Sequence, residues 1–258
     1  SESVVEAIDR LLFSPQGELR EEYHRLFSSL FTNPEPYMTI VRALANHRYG
    51  LTRDELAEHL GKSDGGGLTK LLDNLEKCDF ICYHRVRSKK INKTGGYYAL
   101  SDSFVQFYHT YLDTPSNDEH YWSHNLLSPK TNTFFGLAFE RVCMSHIPQI
   151  KKAIGIDQIG TEYYSWRSTD KEQKAQIDLL IERADRIINL CEIKYSALPY
   201  TITKDADLKF RTRQAAFVNQ TGVRFGIQAT YISPYGLTPN AYSSSIQKVI
   251  TMDDLFEQ

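Results

Sequence analysis

The sequence predicts a chain of mixed α+β / α/β class in two parts. A helical domain closed by a β-hairpin comes first, and a domain with a mixed central sheet between helices follows. Three observations carry this. Apolar residues recur at helical spacing up to residue 77. Two short β-rich runs, Gln176–Arg183 and Ile187–Lys194, flank Ala184-Asp185-Arg186, which is a hairpin pattern. Around that hairpin the elements read in the order helix, three strands, helix, strand.

Residues 2 to 31 read as two amphipathic helices. Val4, Val5, Ile8, Leu11 and Leu12 form one stripe, and Tyr23, Leu26, Phe27, Leu30 and Phe31 a second, with Ser14-Pro15-Gln16-Gly17 between them. Two helices are too few for a domain, so residues 1–33 read as a segment of something larger or as packing on the next domain. Residues 34–112 read as one compact domain. Tyr37, Ile40, Val41, Leu44 and Ala45 mark its first helix. Thr52-x-x-Glu55 is a capping box that opens the second. Gly65-Gly66-Gly67 leads to a third helix with Leu68, Leu71, Leu72 and Leu75 on one face. Phe80–Tyr83 and Tyr97–Leu100 read as strands joined by a basic stretch containing Arg85, Arg87, Lys89, Lys90 and Lys93. The third helix offers Lys70, Asp73, Asn74, Glu76 and Lys77, which are mixed in sign, so the basic stretch is the better candidate for nucleic-acid contact. Ser103–Leu112 is an aromatic helix whose stripe reads as core. Residues 113–132 are polar and aperiodic and read as a linker.

Residues 133–258 form the second domain. Thr133 to His146 is a helix with Phe135, Ala138, Phe139 and Val142 inward, ended or bent by Pro148. Thr161–Arg167 is the first strand, and the hairpin follows. A turn centred on Asp185 sets position 183 opposite 187 and position 178 opposite 192. Lys194 shares the face of Glu192, two residues on. The register thus gathers Asp178, Glu192 and Lys194 in one patch. It sends Ile177, Leu179 and Ile181 to one face and Leu180, Ile188 and Leu190 to the charged one, so the sheet is covered on both sides. Carboxylates in such a place are costly unless paired or bound to metal, and Mg²⁺ prefers carboxylate oxygens and water. A solvated strand face with an ion pair is the plainer alternative. The helix from Ala206 to Gly222, with Lys204 before it, carries Lys209, Arg211 and Arg213. Phe225–Ile232 and Ile246–Thr251 supply further strands.

Composition removes several function classes. The 258 residues suffice for two modest domains, 41% are hydrophobic, and the formal net charge is −2. A nucleic-acid surface must therefore be a local patch. No apolar run approaches the ~18 residues of a membrane span and no signal peptide is visible, so a cytoplasmic protein without a membrane partner is expected. Cys78, Cys82, Cys143 and Cys191 contain no Cys-x-x-Cys pair and read as free thiols. There is no His-Glu-x-x-His and no Gly-x-Ser-x-Gly. Gly61-Lys62-Ser63 lacks the upstream glycine of a phosphate-binding loop and reads as a helix end with a Gly cap.

Asp178 followed by Glu192-Ile193-Lys194 across a strand–turn–strand resembles the PD-(D/E)XK nuclease superfamily, with Ile177 in place of the proline. That family's αβββαβ core is the order read above. The resemblance implies a DNA nuclease dependent on Mg²⁺ (or Mn²⁺). Glu140, in Gly136-Leu137-Ala138-Phe139-Glu140, looks like the family's further acidic residue. Glu140, Asp178 and Glu192 would then hold the metal, with Lys194 positioning water or stabilising phosphate charge. Gln214 resembles a glutamine that many relatives place on the following helix, and Arg213 is an auxiliary. Lys209, Arg211 and Arg213 are expected to face DNA. Residues 34–112 resemble a winged helix-turn-helix domain, which implies the third helix in the major groove and the basic wing on phosphate. From about Leu11 to Phe256 the chain looks like the C-terminal part of prokaryotic AAA+ family ATPases. The ATPase region is absent from this chain, and residues 1–33 would be its last helices. The alternative is a catalytically silent module that grips DNA or a protein partner.

Overall fold

The computed structural model describes residues 2–61, 65–85, 95–114, 116–168 and 175–256. Arg87, Lys89, Lys90 and Lys93 of the expected wing, and Lys62 and Ser63, lie outside the described residues. The chain divides into two compact units, residues 1–83 with 96–135, and residues 136–258 with 84–95.

In the first unit α1 (Val4–Ile8) starts at a Ser3–Glu6 capping box and runs into a π-helical turn, Asp9–Phe13. Then come α2 (Glu22–Leu30), α3 (Glu35–Ala45), α4 (Arg53–His59), α5 (Gly66–Lys77), β1 (Ile81–Arg85), β2 (Gly96–Leu100) and α6 (Ser103–Phe107). A second π-helical turn, Tyr108–Leu112, continues α6, and α7 (Tyr121–Asn125) follows. The Thr52 box forms as the sequence implies: the Thr52 amide donates to the Glu55 carboxylate at 2.7 Å, and the Glu55 amide to the Thr52 hydroxyl at 3.3 Å. The leucines at helical spacing go inward, with Leu56, Leu72 and Leu75 fully buried. Each such side chain contributes ~1.5–3 kcal/mol by leaving water.

The aromatic helix is core, as its stripe predicts: Tyr23 stacks on Tyr108 with ring centroids 4.0 Å apart. Leu51 and Tyr98 exchange two backbone hydrogen bonds, of 2.9 and 2.8 Å, which adds one residue of a third strand beside β2. That close approach requires Gly50, whose φ is +69° and whose added Cβ would meet the Tyr98 carbonyl oxygen at 2.2 Å. Gly61, at φ +58°, ends α4 as the expected left-handed cap. The polar stretch 113–132 contains α7, whose Trp122 is buried.

α8 (Pro129–Ser145) leads into the second unit, followed by α9 (Ile147–Ile154), β3 (Thr161–Arg167), β4 (Gln176–Arg183), β5 (Ile187–Ile193), α10 (Lys204–Thr221), β6 (Gly226–Ile232), β7 (Lys248–Ile250) and α11 (Met252–Phe256). Pro148 opens α9, where its missing N–H has no helical partner to lose. The sheet order is β3-β4-β5-β6-β7. The β3–β4 and β4–β5 pairs are antiparallel, and β5–β6 and β6–β7 parallel. The chain is thus mixed α/β with a mixed central sheet.

The hairpin register is the one a turn centred on Asp185 dictates: Leu179 faces Cys191, Leu180 faces Leu190, and Glu182 faces Ile188. Both faces are covered. Leu179, Ile181, Cys191 and Ile193 pack with Phe139, Cys143, Ile147 and Ile150 of α8 and α9. Leu180, Ile188, Leu190 and Tyr231 pack with Phe210 and Phe217 of α10. One expectation is corrected. Ile177 belongs to the α10 face, with Trp166 and Leu180, and not with Leu179 and Ile181. The cause is a slip between β3 and β4: Tyr164 faces Leu180 but Trp166 faces Ile177, so β4 spends three steps where β3 spends two. An extra residue reverses the facing of everything beyond it.

Candidate active site

β5 is apolar along almost its whole length, and Glu192 breaks the pattern at 7% exposure. Alternation along the strand puts Glu192 on the α10 face, after Ile188 and Leu190. Its partner on β6 is Tyr231. Burial, and then the Glu192 carboxylate, push the Tyr231 phenol well above its ordinary pKa. Lys194 lies one residue past the strand, where its amide donates to the Ile232 carbonyl at 2.9 Å and continues the ladder. The ammonium of Lys194 lies 2.9 Å from Glu192 Oε1.

A second cation reaches the same oxygen. Arg213 Nη2 donates to Glu192 Oε1 at 2.6 Å. The spacing of α10 explains its arrival: positions 210, 213, 214 and 217 form one helical stripe, and Phe210 and Phe217 bury that stripe against the sheet. Gln214 lies on the same stripe and is half-buried. The other α10 cations are paired along the helix, Lys209 with Asp205 at 2.7 Å and Arg211 with Asp207 at 2.8 Å. Arg85 is exposed at the end of β1.

Asp178 stands at the slipped segment of β4 and is half-buried. It accepts a hydrogen bond from the Gln176 side-chain amide at 2.7 Å. The β4–β5 pairing ends at Leu179 opposite Cys191, so Asp178 and Glu192 each lie one residue past the last pair. Glu140 is half-buried on α8, whose Phe139 and Cys143 pack on the opposite sheet face from Glu192. Burial, together with Cys191 and Glu140, pushes the Cys143 thiol up, so it stays protonated. Among the described residues no three Asp, Glu, His or Cys side chains converge to hold one ion, so Glu140 does not complete a trio with Asp178 and Glu192 here. The donor chemistry still fits Mg²⁺, which keeps several waters and takes one or two carboxylates together with substrate phosphate.

Two neighbours of the site escape sequence reading. Gln176 precedes Asp178 by two residues, and that spacing was a usable signal. Tyr231 gave none, because the pairing of β5 with β6 is made across an intervening helix. No protein-family model matches the chain. It is 26% identical over 207 residues to an uncharacterized protein of Methanocaldococcus jannaschii, a match covering 78% of this chain and 44% of that protein. The chain therefore spans less than half the length of that relative.

Proposed function

We propose that the second unit is a PD-(D/E)XK-type nuclease domain that hydrolyses DNA phosphodiesters with Mg²⁺ or Mn²⁺. The observation that carries this reading is Glu192, a buried carboxylate in a central apolar strand, gripped by two cations and, like Asp178 on the neighbouring strand, one residue past the last β4–β5 pair. Asp178 and Glu192 would hold the metal. A bound divalent cation lowers the pKa of water and polarises a phosphoryl oxygen. Lys194, partly exposed beside Glu192, orients the attacking water or faces a non-bridging phosphate oxygen. Arg213 balances Glu192 until substrate arrives, and then shares the added negative charge. Gln214, on the same stripe, would contact the DNA strand.

The reading extends to the first unit as a winged helix-turn-helix domain made of α3, α4 and α5 with the β1–β2 ribbon. On α5, Lys70, Asp73 and Lys77 are exposed, whereas Asn74 turns inward and donates to the Tyr37 hydroxyl at 2.8 Å. Base reading by Asn74 is therefore not part of the proposal.

A second reading is a catalytically silent module. It is favoured by the charge balance at Glu192, which Lys194 and Arg213 already satisfy. A cleavage assay decides between the two, run on single- and double-stranded DNA with Mg²⁺ or Mn²⁺ beside Lys194→Ala. Metal-dependent cleavage lost in the variant supports the nuclease. Absence of cleavage under every condition supports the silent module.

A further inference from the structure

The loops that leave β5 and β6 have a feature that metal chemistry does not use. The two strands are parallel neighbours, so both loops emerge at the same end of the sheet. Ligands of parallel sheets gather at such carboxyl ends. One chain bends at Ala197-Leu198 and the other turns at Pro234-Tyr235. They meet again immediately afterwards, at a parallel bridge between Tyr200 and Leu237. Tyr200 donates its amide to the Gly236 carbonyl at 2.9 Å, and Thr238 donates back to the Tyr200 carbonyl at 2.9 Å. Leu198 lies two residues before Tyr200, and Tyr235 two residues before Leu237, so each bend runs directly into the bridge. Leu198 is 73% exposed and Tyr235 62%.

These side chains are not carried on loose backbone. The Gly236 amide closes the turn onto the Ser233 carbonyl at 3.1 Å, and the Met252 amide anchors the Pro234 carbonyl at 3.1 Å. On the other loop, the Thr238 hydroxyl holds the Pro199 carbonyl at 3.2 Å. A leucine and a tyrosine held in water by fixed backbone form a surface suited to a flat apolar ligand. A tyrosine ring, with two rotatable angles, loses little entropy when it is covered.

We propose that Tyr235, with Leu198 on the neighbouring loop, is a stacking platform for an unpaired nucleobase. The inference rests on the nuclease reading and makes its substrate a single-stranded or frayed strand. Lys194 lies four residues before Leu198, a span of at most ~14 Å. That is up to about four stacked nucleotides at ~3.4 Å each. Lys194 and Arg213 supply the cations for the backbone while Tyr235 takes the base, the combination by which single strands are held without sequence preference. In a duplex the base faces are covered and the platform has nothing to stack.

The test uses the full chain in EDTA, so that binding is read without turnover, with anisotropy of a labelled oligothymidylate and of a labelled duplex whose ends are closed by non-nucleotide linkers. Tyr235→Ala is expected to weaken single-strand binding by about 5- to 150-fold and to leave duplex binding unchanged. Tyr235→Trp is expected to keep single-strand affinity, with its exposed indole quenched on binding. The native Trp122 and Trp166 are buried, so the signal is separable. Equal single-strand affinity of wild type and Tyr235→Ala, or an unquenched indole, overturns the platform and leaves the patch to a protein partner. The outcomes also separate the two proposals. Tyr235-dependent binding without any Mn²⁺-supported cleavage keeps the platform and removes the nuclease. Cleavage with Tyr235-independent binding does the reverse.

Discussion

Glu192 offers a single oxygen to two cations, whereas Asp178 is bonded to a neutral amide. This difference separates two substitutions that a sequence reader would treat alike. Asp178→Asn keeps an acceptor for the Gln176 amide and breaks no ion pair among the described residues, so unfolding free energy is expected to stay within ~0.5 kcal/mol of wild type while cleavage is lost. Glu192→Gln leaves Lys194 and Arg213 facing a neutral group. Their side chains are 38% and 27% exposed, so solvent recovers part of the loss. The expected cost is about 1–3 kcal/mol, below the ~3–5 kcal/mol of a fully buried broken pair. Urea unfolding of the two variants checks the order. If Asp178→Asn proves the more destabilising, Asp178 is a structural anion and the metal reading of β4 fails.

At the scale of the element, what was legible followed from local rules. The hairpin register could be read because its turn is short and its apolar pattern has period two, and the α10 stripe because Phe210 and Phe217 mark its buried face. The facing of Ile177 could not be read, because the slip that reverses it is set by β3, a strand on the other side of β4. α7 was illegible for a related reason: its cap comes from elsewhere in the chain. The Asp9 carboxylate accepts the Trp122 amide at 2.8 Å and the Ser123 amide at 3.1 Å, and also takes the Ser123 hydroxyl. No local cap box announces that helix. Asp9 is 3% exposed, so Asp9→Ala strands the buried Trp122 amide and leaves the Ser123 amide, of an exposed residue, without its carboxylate. The expected loss is roughly 2–3 kcal/mol, with Asp9→Asn losing less. Equal urea midpoints for wild type and Asp9→Ala would show that α7 does not depend on this cap.

At the scale of the whole molecule, a net charge of −2 forces any DNA affinity onto patches, and the α10 cations are already paired with Asp205, Asp207 and Glu192. On the proposed reading, the basic stretch between β1 and β2 would then carry part of the phosphate contact. Reversing Lys89 and Lys90 to Glu is expected to lower the slope of log affinity against log salt by about one unit for each lost contact, and an unchanged slope would remove the wing from the interface. Stability should also depend on pH through the first unit. The His109 ring, 1% exposed, lies 3.1 Å from Asp113 Oδ2 and 3.0 Å from the Tyr23 hydroxyl. Burial holds its pKa below the ordinary histidine value, and Asp113 opposes this only in part. The unfolded chain takes up the proton near pH ~6.5, the folded chain only at lower pH. Below ~6.5 the unfolded state therefore binds more protons, so unfolding free energy falls with falling pH until the folded pKa is passed, and is full above ~6.5. Each unit holds one buried tryptophan, Trp122 in the first and Trp166 in the second. With Trp166→Phe as background, fluorescence reports the first unit alone. Its urea midpoint is expected to fall between about pH 7 and pH 5, and His109→Gln, which can still donate and accept, is expected to flatten that fall. A wild-type midpoint that does not move in this window, or an equal fall in the variant, would mean that His109 is protonated as easily in the folded chain as in the unfolded one.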